Sequence, residues 1–253
     1  MSDEAADIPL GGSIAPPLRF VPVTEALSFP NSFLKPLNAL PGVRAGWVGR
    51  LDSIEVTTDR DETLANLRPL HEEIVRREFG RARWWRAEQV HGNGVALVPG
   101  AETKLAGDGL PVVPAVDGLI TAAPGEMLGI YVADCGAIWM ADRRTGAVGL
   151  LHSGKKGTEL NILGRAIALM GEKFGTQPAD LVVVLGPCIR PPHYEIDFAA
   201  EIARQAEAAG VGEFHDEGDD TACDLTRHYS YRVEKGCTGR MLALIVREEI
   251  ATA

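Results

Sequence analysis

The sequence contains no apolar run of the roughly 18 residues that a membrane-spanning helix needs. Its first residues lack the basic start and apolar stretch of a secretory signal peptide. Only four cysteines occur among 253 residues, and none forms a Cys-x-x-Cys pair, which excludes a structural zinc ribbon. These absences predict a globular protein of the reducing cytoplasm, with no membrane anchor and no disulfides.

Positive charge is scarce, with 25 Lys and Arg against 35 Asp and Glu and a formal net charge of −10. Such a chain lacks the broad basic surface that nucleic-acid-binding proteins offer, so we expect neither a nucleic-acid nor a membrane partner. A small anionic ligand remains compatible, because a local cationic pocket can outweigh the net charge. The sequence gives no indication of the oligomeric state.

Apolar runs of strand length alternate with amphipathic helical segments. A helix is predicted from Thr63 to Phe79, with Pro69 delaying its start or kinking it and His71 as a solvated residue. The stretch HDEGDDT is predicted to be an acidic loop. Strands are predicted in GIYVADC, AIWMAD, AVGLLHS, LVVVLGP, SYRV and RMLALIVRE. The interleaving indicates a mixed α and β protein with at least one sheet buried on both faces.

Potential metal ligands occur at the ends of two of these apolar runs. Cys135 ends GIYVADC and His152 ends AVGLLH, and small residues follow both. Antiparallel pairing across the intervening RRTG turn would bring the two side chains together. His91 lies upstream in QVHGNG. One thiolate and two imidazoles suit zinc, and three protein ligands leave a fourth position open, as in catalytic sites.

Two other interpretations use the same residues. Cys135 could be a nucleophile with His152 as its base, which leaves His91 without a role. Alternatively, Cys135 is a small buried residue of the core and each histidine is an ordinary hydrogen-bonded group.

Several motifs that contain these residues resemble the laccase-domain family, also called multicopper polyphenol oxidase or peptidoglycan editing factor. They are DGLITAAPGEMLGIYVADC, RRTGAVGLLHSGKKGT, LGPCIRPPHYEI and SYRVEKGCTGR, in that order. The resemblance runs from about Arg44 to Arg247 and is densest over residues 88–197. It implies an α+β fold with mixed β-sheets and flanking helices, similar to that of toxin deamidases. Residues 1–18 combine Gly, Pro and acidic residues with little apolar content, so we expect them to form a flexible leader. We expect residues 19–253 to form a single catalytic domain.

The resemblance also implies a function. Family members hold one zinc through the residues that correspond to His91, Cys135 and His152. It implies a zinc-dependent purine nucleoside phosphorylase that acts on nucleoside and phosphate, with adenosine deaminase and methylthioadenosine phosphorylase activities. The alternatives are a peptidoglycan-precursor amidase and a non-enzymatic zinc-binding module. A multicopper centre is excluded, because it needs on the order of ten histidines and this chain has six. A single adventitious copper in place of zinc is compatible with the ligands.

Roles for neighbouring residues follow from chemistry and from departures from the family pattern. The usual HAGWRG reads HSGKKG, which places two lysines directly after His152. Phosphorolysis needs cations for phosphate, and deamination needs a carboxylate that moves protons. The predicted substrate-binding residues are Arg50, Lys155, Lys156, Arg190 and His193. The predicted catalytic residues are Cys135, Asp134 and Glu195.

Overall fold

The computed structural model describes residues 31–80 and 82–249. The leader predicted for residues 1–18 lies outside them. The α-helices of this part are α1 (Lys35–Asn38), α2 (Arg60–Phe79), α3 (Lys155–Glu159), α4 (Ile162–Phe174) and α5 (Phe198–Ala208). Short 3-10 helices cover Ser32–Leu34 and Pro178–Asp180. No helix in these ranges combines the length and the apolar character needed to cross a membrane.

Within the described residues, the strands form two mixed sheets and a small hairpin. The strands are β1 (Val43–Val48), β2 (Arg83–Arg86), β3 (Val95–Leu97), β4 (Lys104–Leu105), β5 (Pro111–Val112), β6 (Gly118–Thr121), β7 (Glu126–Val132), β8 (Gly136–Asp142), β9 (Val148–Ser153), β10 (Leu181–Leu185), β11 (Glu213–Asp216) and β12 (Met241–Arg247). One sheet has the order β1-β12-β7-β2 and the other β11-β10-β8-β9-β6-β3, while β4 pairs with β5. The α+β class with mixed sheets is confirmed.

The two sheets pack face to face between helices, because the strands are apolar on both faces. Trp139 of β8 lies in the core between the sheets with Leu128 of β7. The next residue of β8, Met140, belongs instead to a second core with Ile167 of α4. A third core joins α2, through residues such as Leu67, to the outer face of the four-stranded sheet. Side chains that alternate along the strands therefore fill three apolar layers.

Helix α2 differs from its prediction in two ways. It begins at Arg60, three residues early, because the Asp59 carboxylate accepts hydrogen bonds from two backbone N–H groups of the first turn. Pro69 lies inside the helix without ending it. The prediction that His71 is solvated is wrong, since the side chain is fully buried with its ring 5.6 Å from that of Tyr131. His71 continues the buried stripe of the helix at the spacing that apolar residues follow.

Two further segment predictions are wrong. SYRV is a turn, because the Glu234 carboxylate accepts from the backbone N–H of Ser230 while the Glu234 N–H donates to the Ser230 carbonyl. HDEGDDT begins in β11, where His215 and Asp216 pair in parallel with β10. The strands predicted from the other apolar runs are present as β7 to β10 and β12.

Candidate metal centre and active-site cleft

Cys135 occupies the short connection between β7 and β8. The preceding residue, Asp134, has a left-handed backbone with φ of 78°. Its carboxylate accepts a hydrogen bond from the Thr221 hydroxyl at 2.8 Å and one from the Arg232 backbone N–H at 2.7 Å. These bonds to a distant segment hold the connection in place, and the cysteine side chain with it.

His152 reaches the same place from the neighbouring strand. Strands β8 and β9 are antiparallel, with Ala137 opposite His152 and Gly136 opposite Ser153. The imidazole Nδ1 lies 2.9 Å from the carboxylate of buried Asp117. This contact engages Nδ1, leaves Nε2 available to the cluster and fixes the ring orientation, as is typical of metal-ligating histidines.

His91 lies in the loop after β2 and has a left-handed backbone with φ of 59°. Asp117 stabilises this loop as well. Its two carboxylate oxygens accept from the backbone N–H groups of Val90, His91 and Gly92 at 3.2, 2.9 and 2.7 Å. One carboxylate therefore positions both histidines.

The three predicted ligands lie together. The potential ligand atoms of His91, Cys135 and His152 are all within 4.8 Å of one another. Gly154 leaves room for the sulfur, because a Cβ at this position would lie 2.5 Å from the Cys135 Sγ.

Electrostatics favour the thiolate form of Cys135. Burial alone would raise the pKa of the thiol, but the charge of His152 and hydrogen bonds from both histidines lower it to about 6. Burial also lowers the pKa of His152, yet the thiolate and the Asp117 carboxylate outweigh it and raise that pKa to about 9. A thiolate, two imidazoles and a carboxylate anchored behind one of them form a donor set that fits zinc.

The cluster opens into a cavity of about 980 Å³, near the upper end of the range for small-molecule sites. Backbone and side chains from both sheets and from α3 and α5 surround it. Its walls include Thr58, Arg60, Gln89, Tyr131, Ala133, Asp134, Gly154, Lys155, Lys156, Glu159, Ile189, Tyr194, Phe198, Tyr231, Arg232 and Arg240 beside the three predicted ligands.

One wall of the cavity is cationic. The guanidinium of Arg240 donates to the backbone carbonyls of Thr238 and Gly239 at 2.9 and 2.8 Å. Among the residues that the structure describes, no carboxylate lies within ion-pair distance of it. Burial, and then the nearby charge of Arg60, lower the pKa of Arg240. Arg60, whose guanidinium lies 3.8 Å from the Asp61 carboxylate, lines the same cavity. The guanidinium of Arg240, with this second cation nearby, offers a site for an anion.

The family described as "Multi-copper polyphenol oxidoreductase laccase" matches residues 41–200 and 193–248. The chain belongs to this family.

The relatives of this laccase-family chain include several proteins named purine nucleoside phosphorylase. The purine nucleoside phosphorylase YlmD of Geobacillus stearothermophilus is 31% identical over 229 residues, which cover 78% of this chain and 82% of that protein. A purine nucleoside phosphorylase of Streptomyces coelicolor is 29% identical over 185 residues, 62% of this chain and 72% of the relative. One from Mycobacterium bovis is 35% identical over 124 residues, 49% of this chain and 46% of the relative.

Solved structures of the family share this fold. The crystal structure of YlmD from Geobacillus stearothermophilus superposes with a TM-score of 0.68 at 28% identity, over 82% of this chain and 93% of that one. The Bacillus licheniformis hypothetical protein YfiH has the same TM-score of 0.68 at 22% identity, over 81% and 93%. The second likeness concerns the fold alone.

Four of the residues predicted for substrate or catalysis lie outside the cavity walls of this laccase-family chain. Arg50 pairs with Glu234 at 2.9 Å and stacks on the ring of Tyr229. Arg190 donates to the carboxylate of Asp216. The other two are surface-exposed: His193 contacts Asp220 and Glu195 pairs with Arg232.

Three other predicted residues do line the cavity. Lys155 and Lys156 begin α3, and both are exposed at its surface. Asp134 is buried beneath Cys135, with one hydrogen bond to each carboxylate oxygen. Its contacts are those of a residue that positions the cysteine.

Sequence reasoning missed the carboxylate that orients both histidines and the two guanidinium groups of the cationic wall. Asp117 is the one acid in the otherwise apolar run VDGLITA, directly before β6. Arg240 ends the motif SYRVEKGCTGR, directly before an apolar strand, a position where polar side chains often line sites. Arg60 carried no signal, because it lies among other charged residues at a helix start.

Proposed function

We propose that this chain is a purine nucleoside phosphorylase that holds one zinc through His91, Cys135 and His152. One observation carries the proposal: the same cavity contains a thiolate–imidazole cluster and the half-buried guanidinium of Arg240, which has no carboxylate partner among the described residues. The names of relatives that match most of the chain support the same activity.

The reaction transfers the sugar of a purine nucleoside from the base nitrogen to phosphate. The bond from the sugar C1′ to the purine breaks, a bond from C1′ to a phosphate oxygen forms, and the leaving purine takes up a proton. The chain must therefore bind an anion, hold a flat aromatic base and orient the two against each other.

The cationic wall suits the phosphate. Arg240 and Arg60 can share its oxygens, and the geometry of a guanidinium matches two oxygens at once. Lys155 and Lys156, at the exposed edge, add positive potential that attracts an anion toward the cavity.

The aromatic side chains suit the purine. Tyr194 and Tyr231 line the cavity, and the guanidinium of Arg232 lies 4.8 Å over the ring of Tyr194. Stacking on such rings tolerates different purines, because every base presents a π-face. A zinc ion held by His91, Cys135 and His152 would supply a Lewis acid to the cavity. The same Lewis acid underlies our proposal of additional adenosine deaminase and methylthioadenosine phosphorylase activities.

The compartment proposed for the enzyme is the cytoplasm. All four cysteines are free thiols in the structure, and Cys223 and Cys237 are exposed. Exposed thiols are compatible with a reducing compartment.

The test compares Arg240→Gln with Arg204→Gln, whose parent residue is an exposed arginine paired with Glu201. Removing a charge-assisted hydrogen bond costs about 1.5 to 3 kcal/mol, or about 10- to 150-fold. With adenosine as substrate, Arg240→Gln should lower kcat/KM for phosphate by that factor, while Arg204→Gln behaves like the parent. The zinc content of both should be unchanged.

The same assay separates the alternatives. If the parent releases no adenine from adenosine with phosphate but hydrolyses a UDP-muramyl peptide, the chain is an amidase of peptidoglycan precursors. If it turns over neither and unfolds when zinc is removed, it is a non-enzymatic module with a structural metal.

A further inference from the structure

A second group of metal-binding side chains lies outside the cavity walls. The potential ligand atoms of His193, Asp220 and Cys223 are all within 4.8 Å of one another. None belongs to the cluster of His91, Cys135 and His152, and the nucleoside reaction does not use them.

The contacts within this group converge on one nitrogen. Nδ1 of His193 lies 2.8 Å from Oδ2 of Asp220 and 3.8 Å from Sγ of Cys223. The carboxylate oxygen and the sulfur are thus both close to the imidazole nitrogen, as the ligand atoms of a single metal ion are. A carboxylate and a thiolate together carry two negative charges, which a divalent cation neutralises.

The distances match those in a tetrahedral zinc site with little rearrangement. With metal–ligand bonds of about 2.0 to 2.3 Å, neighbouring ligand atoms are about 3.4 to 3.6 Å apart. The nitrogen–oxygen separation must therefore widen by about 0.6 Å and the nitrogen–sulfur separation shorten by about 0.2 Å. His193 and Cys223 are both exposed, so their side chains are free to make such movements.

The backbone that carries two of the ligands is held in place by other contacts. Oδ1 of Asp220 accepts from the Ala222 N–H at 2.9 Å, which leaves Oδ2 for the cluster. The hydroxyl of Thr221 is buried against Asp134, and the Thr221 N–H bonds to the carbonyl of Cys188. The Cys223 N–H bonds back to the carbonyl of Asp220 at 3.0 Å. The loop thus presents its carboxylate and its thiol on a fixed frame.

We propose that His193, Asp220 and Cys223 form a second, surface metal site for a divalent cation of the zinc class. Three mixed N, O and S ligands are those that zinc and cobalt accept, with water at the remaining position. Because two of the ligands are exposed, this site binds more weakly than the buried cluster and exchanges its metal more readily.

The experiment uses the full chain in a non-chelating phosphine reductant. A Cys135→Ser variant removes the thiolate of the buried cluster, and metal-free protein is titrated with Co²⁺. We expect one cobalt with a thiolate charge-transfer absorption to bind per chain, and this absorption to vanish when Cys223→Ser is added. Adding Cys237→Ser instead, at an exposed cysteine outside the group, should leave the absorption unchanged.

Zinc content of the otherwise unchanged chain provides the second measurement. After equilibration with Zn²⁺, the parent and Cys237→Ser should hold two zinc ions per chain, and Cys223→Ser and His193→Ala one. Equal zinc in Cys223→Ser and the parent would refute the site, as would absence of cobalt absorption in the Cys135→Ser background. Neither measurement depends on the nucleoside reaction, so failure of the proposed function would leave them interpretable.

Discussion

Gly154→Ala tests whether the sulfur of Cys135 is confined as the proposed zinc site requires. The backbone of Gly154, with φ of −102° and ψ of −162°, accommodates alanine. The obstacle is the sulfur, 2.5 Å from the new Cβ, whereas favourable contacts between non-bonded heavy atoms are about 3.5 to 4.0 Å long. The sulfur must retreat by about 1 Å, although zinc–sulfur bonds tolerate only about 0.2 Å.

Overpacking of this kind costs about 1 to 3 kcal/mol. If the strain falls on the metal-bound state, zinc affinity should decrease about 5- to 140-fold. Competition against a chromogenic chelator measures the affinity, and a thermal melt checks the fold. Gly171→Ala is the matched control, because its Cβ would meet only the Thr176 carbonyl at 3.4 Å. Parental zinc affinity in Gly154→Ala would refute the reasoning.

The remaining predictions concern the metal, the lysines and acid stability. Elemental analysis should show that Cys135→Ala loses the buried-site zinc and that Cys188→Ala, which lacks only a buried thiol outside the cluster, keeps it. The double Lys155→Ala, Lys156→Ala variant should have a higher KM for phosphate than the parent at low salt. The difference should shrink as salt screens the charges over about 8 Å. If the variant and the parent have the same KM at low salt, the lysines do not bind phosphate. Burial lowers the pKa of His71 from its ordinary 6.5 to about 3. Between these values only the unfolded chain binds the proton, so stability is complete above pH 6.5 and falls as the pH drops, by about 2 kcal/mol at pH 5. Urea unfolding of His71→Leu should lack this component; an unchanged pH slope relative to the parent would contradict it.

Much of the fold was predictable because the buried strands are almost wholly apolar. The position of a ligand at the end of such a strand, and a short turn to its antiparallel neighbour, were enough to bring Cys135 and His152 together. The predictions that were wrong, a strand at SYRV and an exposed His71, depend on local contacts. The turn at Ser230 depends on the reach of the Glu234 carboxylate, and the burial of His71 depends on its position on the helix rather than on its polarity.

The anion site was harder to predict than the metal ligands, because the sequence shows where the arginines are but not which of them pair with a carboxylate. Arg50 and Arg190 were as plausible as Arg240 in the sequence. The structure gives each of the first two a carboxylate partner, while the hydrogen bonds of Arg240 to the described residues go to backbone carbonyls. Pairing is a property of contacts between distant segments, which no local pattern contains.

The Asp117 carboxylate couples the positions of His91 and His152, because it contacts both residues. One Asp117 oxygen contacts both His152 Nδ1 and the His91 N–H, and the other accepts from two further backbone N–H groups of the loop. An asparagine at this position would place its NH₂ group against a backbone N–H in either orientation of the amide. The distance between these two imidazoles is thus not adjustable by separate substitutions around each ring. Attempts to retune the centre for a larger or smaller ion are better directed at the sulfur side, because the hydrogen bonds of that carboxylate do not include Cys135 or Gly154.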